Sequence, residues 1–142
     1  MKKRKKERPL LTWGRAWCDR KHKRYYAVYV WRNNAAMYNG VDEISKVSGR
    51  PITARNYLAM VQGWRWDRKT RDISLGLIHF TYPNLKAGII AHELGHALAG
   101  WCSAVGIRIP TQTHRDDERM AECLETMMKA VCRMYHRIKE KK

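Results

Sequence analysis

The chain has 142 residues, of which 29 are Lys or Arg and 13 are Asp or Glu, so its formal net charge is +16. This length suits one domain with a substantial core, and no apolar run is long enough to cross a bilayer. The basic start is not followed by the apolar stretch of a secretory signal, and the four cysteines form no Cys-x-x-Cys pair. We therefore expect a cytoplasmic protein without a membrane segment or disulfide framework.

Basic residues are concentrated at the two ends of the chain. The first 24 residues contain eleven Lys or Arg against two acids, and the last four residues contain three Lys. Such runs are usually solvated. We expect a flexible arm over 1–23, one folded domain over 24–138 and a short tail over 139–142. The basic ends are also expected to contact nucleic acid non-specifically, through its phosphates.

Three segments have the composition of β-strands. Residues 24–31 are rich in aromatic and β-branched types, and residues 72–80 contain a long apolar run. Both predict strands. Residues 35–38 look like a short return strand after the turn that follows the first one. A sheet is therefore expected in the first half of the domain.

Residues 41–60 carry a competing signal. A predicted helix over 41–48, a glycine-containing turn and a second predicted helix over 53–60 have the outline of a helix-turn-helix. With this net charge, the alternative function is a basic DNA-associated protein. Against it, Ser48 and Arg55 stand where the packing of such a motif usually requires apolar residues.

The most specific motif is His92-Glu93-Leu94-Gly95-His96, which reads H-E-x-x-H. On a helix, residues four apart share a face, so His92 and His96 can hold one zinc ion. Glu93 can then reach a water molecule as general base. Apolar residues at helical spacing around the motif predict that one flank of this helix is buried, and Gly106 is its expected end.

A catalytic zinc ion needs a third protein ligand. The next predicted helix, which Thr113 can cap, offers His114, Glu118 and Glu122. Residues 73–125 contain six acids and four bases, so this window is net negative in a strongly basic chain. That distribution favours binding of a cation.

The motif and the downstream stretch Glu118-Arg119-Met120-Ala121-Glu122 resemble the zincin metallopeptidases, most closely the gluzincin branch with its E-x-x-A-D signature. The resemblance covers residues 73–125, with Glu122 in place of the aspartate. It implies Glu118 as third ligand and Glu122 as the carboxylate that orients a ligating histidine. Because Glu122 is one methylene longer than aspartate, the two roles can be exchanged. The chain is also similar to SprT-like zincins, which are associated with DNA and use a downstream histidine; by that likeness His114 is the alternative ligand.

The resemblance implies a minimal zincin-like α+β domain with a short twisted sheet, a backing helix, the metal helix and a C-terminal helix. Zincins place a substrate-binding edge strand just before the metal helix, so Ile73, Leu75 and Leu77 are expected to bind an extended peptide. The expected activity is zinc-dependent hydrolysis of peptide or protein substrates, with Glu93 as general base. A catalytically inactive zincin that binds proteins is a further alternative.

Overall fold

The structure is a computed structural model that describes residues 8–19, 21, 23–48, 59–63 and 73–141. Within these residues the chain forms four strands and three α-helices, which makes an α+β fold as expected. In chain order they are β1 (Leu10–Asp19), β2 (Arg24–Trp31), α1 (Asn34–Ser48), β3 (Ala59–Gly63), β4 (Ile73–Thr81), α2 (Ala87–Val105) and α3 (His114–Glu140). A short 3₁₀ turn, Tyr82–Asn84, joins β4 to α2.

The strands form one mixed sheet in the order β1-β2-β4-β3. Strand β2 is antiparallel to β1 and parallel to β4, whereas β3 is antiparallel to β4. Strand β4 is therefore hydrogen-bonded on both sides from Gly76 to Phe80, and the prediction that residues 73–80 form an edge strand is wrong for that stretch. Leu75 and Leu77 are each only 7% exposed, as expected for an apolar run in a central strand. The side chain of Ile73 lies outside the described residues.

Strand β1 lies inside the segment predicted to be a flexible arm, so the domain boundary expected at residue 24 is wrong. Residues 10–19 pair with β2 along their length. Their side chains alternate between the two faces of the sheet: Ala16 and Cys18 are buried, while Trp13 and Arg15 are exposed. This two-residue period indicates a strand, but the many basic residues around it led to the prediction of a flexible arm. Residues 1–7 of the predicted arm lie outside the described part of the chain.

Helix α1 covers the segment in which a return strand was predicted at 35–38, and that prediction is wrong. The Asn33 side chain accepts a hydrogen bond from the Ala36 N–H at 2.9 Å, which is the bond of an N-cap and starts the helix. The predicted helix over 41–48 is the second half of α1. The predicted helix over 53–60 is wrong at residues 59 and 60, which belong to β3; residues 53–58 lie outside the described part.

The two faces of the sheet are covered by different helices. Helix α1 packs on one face, where Met37 and Val41 meet Trp31 and Met60. Helices α2 and α3 cover the other face and form the larger core, in which Leu94 and Met127 are completely buried. None of the described helices is long and apolar enough to span a membrane.

The ends of α2 and α3 follow the predicted signals. Gly106 closes α2 in the left-handed conformation with φ 78°. Thr113 caps α3, because its hydroxyl accepts the Asp116 N–H at 3.2 Å. Helix α3 continues to Glu140, so the predicted tail over 139–142 is in part helical.

Candidate metal centre

The two histidines of the motif converge on one point beside helix α2. The Nε2 atoms of His92 and His96 lie 3.2 Å apart, and the two ring planes are nearly perpendicular, at 82°. Both side chains are exposed, one helical turn apart on the same face. Two ligand atoms that are each about 2.0–2.1 Å from a tetrahedral zinc ion lie about 3.3–3.4 Å apart. The observed separation of the two nitrogens therefore fits one edge of a zinc coordination tetrahedron.

Glu93 lies between the histidines and the core. It is 7% exposed, and its Oε1 is 4.0 Å from His92 Nε2. Burial raises the pKa of this carboxyl, while His92 and His96 act in the opposite direction. One step along the helix turns a side chain by about 100°, which is why Glu93 points toward the sheet whereas the histidines point to solvent.

The edge strand β3 forms the opposite wall of the site. A cleft of about 230 Å³ is lined by Ala59, Met60 and Val61 of β3 and by the three motif residues. Strand β3 forms backbone hydrogen bonds with β4 on one side, and no described strand pairs with its other side. The edge strand beside the motif is therefore β3, whose residues 59 and 60 the sequence predicted to be helical. Val61, the one β-branched residue of β3, is the signal in its sequence that favours a strand.

The predicted third ligands do not join this group. Glu118 instead lies 3.8 Å from His114, one turn away on α3, and both side chains are largely exposed. Glu122 lines a different cavity, together with Trp101 and other residues. In the part of the chain that the structure describes, no three His, Cys, Asp or Glu side chains are arranged to hold a metal ion.

The packing of the helices explains this separation. The first turns of α3 contact α2 on the C-terminal side of the motif. There the Arg119 guanidinium lies 5.7 Å from the centre of the Trp101 ring. Trp101 follows His96 by more than one helical turn and faces the core at 2% exposure. The residues of α3 next to Arg119 therefore approach the buried flank of α2, and the histidines occupy its exposed flank.

A comparison with known proteins gives no relative for this chain: no family model, curated protein or solved structure matches it.

Proposed function

We propose that this chain is a zinc-dependent metallopeptidase in which His92 and His96 are zinc ligands and Glu93 is the general base. The observation that carries the proposal is the 3.2 Å separation of the two Nε2 atoms with the Glu93 carboxylate beside them. Both rings are exposed, so their Nε2 atoms are accessible to a metal ion from solvent. Their convergence in a cleft supplies two of the three protein ligands that a catalytic zinc ion requires.

Each residue of the site has a defined part in the reaction. Zinc, when bound, polarises the scissile carbonyl and lowers the pKa of a water molecule. The Oε1 of Glu93 takes the proton of the attacking water and passes it to the leaving nitrogen. The buried position of Glu93 restricts its rotamers and holds the carboxylate next to the histidines.

The third ligand is proposed by resemblance to the gluzincins. Glu118 is the proposed ligand, with Glu122 and His114 as alternatives. Glu118 and His114 are exposed and lie 3.8 Å apart across one helical turn, so neither is locked in the core. The described residues do not group any of them with His92 and His96, so the assignment of the third ligand is carried by the resemblance and is tested by the metal analysis below.

Substrate binding is proposed at β3 rather than at β4. The backbone groups of the outer side of β3 are paired with no described strand, and β3 forms the wall opposite the histidines. An extended peptide can add to such an edge through main-chain hydrogen bonds. Its scissile bond would then lie over the cleft, with little dependence on the substrate sequence.

Metal analysis of purified protein tests the ligands. We expect one zinc per chain in the wild type, and loss of zinc in His92→Ala and His96→Ala. His136→Ala, which removes an exposed histidine from the far end of α3, is the matched control and should keep its zinc. Zinc content that is unchanged by His92→Ala would place the metal elsewhere. The same measurement on Glu118→Gln, Glu122→Gln and His114→Ala identifies the third ligand.

Cleavage of an unfolded casein-type substrate tests catalysis. Glu93→Gln should keep its zinc and lose about 10²–10⁴-fold in rate, the usual loss when a general base is removed. Glu125→Gln, a change at an exposed acid of α3, is the matched control and should cleave normally. Full cleavage by Glu93→Gln would refute the general-base assignment. A wild type that binds zinc at His92 and His96 but cleaves nothing would indicate the inactive, protein-binding zincin instead.

A further inference from the structure

The sheet has a row of aromatic side chains on the face opposite α2 and α3. Trp13 of β1 lies opposite Tyr29 of β2, and Trp17 lies opposite Tyr25. Gly14 points to the other face, because a Cβ at this position would meet the Met134 side chain of α3. Side chains alternate along a strand, so the odd-numbered residues 13, 15 and 17 share the face away from α3. We call Trp13, Arg15, Trp17, Tyr25 and Tyr29 the aromatic face.

Among the described helices, α1 is the one that packs on this side of the sheet, and it covers one end of it. Its contacts are centred on Trp31, Met37, Val41 and Met60, and Tyr29 packs at the border of that cluster. Trp13, on the edge strand, is 56% exposed. Its indole is therefore open to solvent and accessible to a flat ligand.

The rings of the aromatic face are held in place by one another. Trp13 and Tyr29 are stacked, with centroids 6.4 Å apart and an interplanar angle of 23°. Tyr29 in turn stacks on the buried ring of His79 at 5.6 Å. The exposed indole is thus the outer end of a ring row that extends from solvent into the core, so its orientation is fixed before any ligand arrives.

A cation lies within the aromatic face. The Arg15 guanidinium is 4.7 Å from the Tyr25 ring centre and 5.9 Å from that of Trp17, and the residue is exposed. The described part of residues 8–32, which includes both strands of this face, contains six Lys or Arg and one acid. A polyanionic ligand that also presents flat apolar faces complements this surface.

We propose that the aromatic face binds single-stranded nucleic acid. Unpaired bases stack on exposed aromatic rings while basic side chains follow the phosphates. A duplex hides its base faces from such a platform, and an acidic protein surface lacks them. The proposal is independent of the peptidase proposal, because the aromatic face shares no residue with the candidate metal centre.

Fluorescence anisotropy with a labelled oligothymidylate of about 12 nucleotides, a length within the range of known single-strand sites, tests the proposal. Trp13→Ala should weaken binding about tenfold or more, in line with the loss of one stacked base. Trp13→Phe, which keeps a ring, should recover most of the affinity. Ile109→Ala is the matched control, because Ile109 is the other large exposed apolar side chain at 63% exposure among the described residues. It should bind as the wild type does, and thermal melting checks that each variant is folded.

A salt titration separates stacking from charge. Trp13→Ala should leave the slope of log affinity against log salt unchanged, whereas Arg15→Gln should reduce it by about 0.7, as for one lost phosphate contact on a single strand. His92→Ala should bind the oligonucleotide normally, so failure of the peptidase proposal does not affect this test. Wild-type affinity in Trp13→Ala overturns the proposal. The proposal is also overturned if a duplex binds more tightly than the oligonucleotide and its affinity falls to the same extent in Trp13→Ala. It is equally overturned if a poly-glutamate peptide of equal charge displaces the oligonucleotide.

Discussion

His79 should make the stability of this protein strongly dependent on pH. Its side chain is completely buried in the sheet, where Trp31 Nε1 donates a hydrogen bond to His79 Nδ1 at 3.1 Å. This bond requires Nδ1 to be unprotonated, which places the proton of the neutral ring on Nε2. Burial lowers the pKa of His79 from 6.5 to about 4. The folded state therefore holds a neutral imidazole at pH values where an unfolded chain holds a cation.

The sign and size of the effect follow from this pKa difference. Well above pH 6.5 the ring is neutral in both states, and the full stability is present. Between pH 6.5 and 4 the unfolded chain takes up a proton that the folded chain excludes, so the free energy of unfolding falls as the pH falls. The lowered pKa of His79 corresponds to a loss of about 3 kcal/mol in total. Below pH 4 this residue contributes no further loss.

Urea unfolding followed by circular dichroism at pH 7.5 and at pH 4.5 measures this loss. His79→Asn supplies an amide oxygen that can accept the Trp31 N–H but takes up no proton in this range. The variant should lose about 2–3 kcal/mol less than the wild type between the two pH values. His136→Asn, at an exposed position, is the control and should keep the full pH dependence. The reasoning is refuted if His79→Asn loses as much stability in acid as the wild type does.

Three further outcomes are expected. Gly40→Ala should lower the free energy of unfolding by about 1–3 kcal/mol, because the new methyl group collides with the Trp31 indole. In the control Gly88→Ala the methyl group meets open space, so the free energy of unfolding should be unchanged or higher by up to about 1 kcal/mol. Urea unfolding measures both variants. Met127→Ala, at a side chain with 0% exposure, should cost about 2–5 kcal/mol by the same measurement. Iodoacetamide should modify native protein only at Cys132, since the other three cysteines are buried; a second adduct in the mass spectrum would contradict this.

The helices around the motif could be predicted from the sequence because their signals are local. Gly106 and Thr113 end and begin helices through bonds to residues a few positions away. The buried side of α3 follows directly from its 3.6-residue period, with Met127, Val131 and Ile138 in the core. The convergence of His92 and His96 is also local, since one helical turn separates them. Each of these features needs no knowledge of the rest of the fold.

The sheet was harder to predict because strand order depends on distant residues. Strand β4 has an apolar pattern that fits an edge or a central strand equally well until its partners are known. Its central position results from β3, a five-residue strand whose sequence Ala59-Met60-Val61 also suits a helix. Strand β1 was missed for a different reason, since its alternating pattern lies within a segment dominated by positive charge.

The third ligand could not be predicted from the sequence either, because its position depends on how two helices pack. Periodicity predicts which side of α3 is buried, but not where along α2 that helix packs. The Arg119 guanidinium lies 5.7 Å from the centre of the Trp101 ring, so the first turns of α3 lie at the flank of α2 away from the histidines. A sequence motif therefore identifies candidate ligands, and the packing of two helices decides which of them can reach the metal.

The two proposed sites occupy opposite edges and opposite faces of one sheet. The metal centre lies under edge strand β3, on the face covered by α2, whereas the aromatic face is centred on edge strand β1. Between β1 and β3 lie two central strands, so the edges are about 14 Å apart at the usual strand spacing. Because neither site shares a side chain with the other, a substitution at Trp13 should leave zinc binding intact, and a substitution at His92 should leave the aromatic face intact. Any coupling of the two activities would then have to come from a substrate that contacts both edges at once.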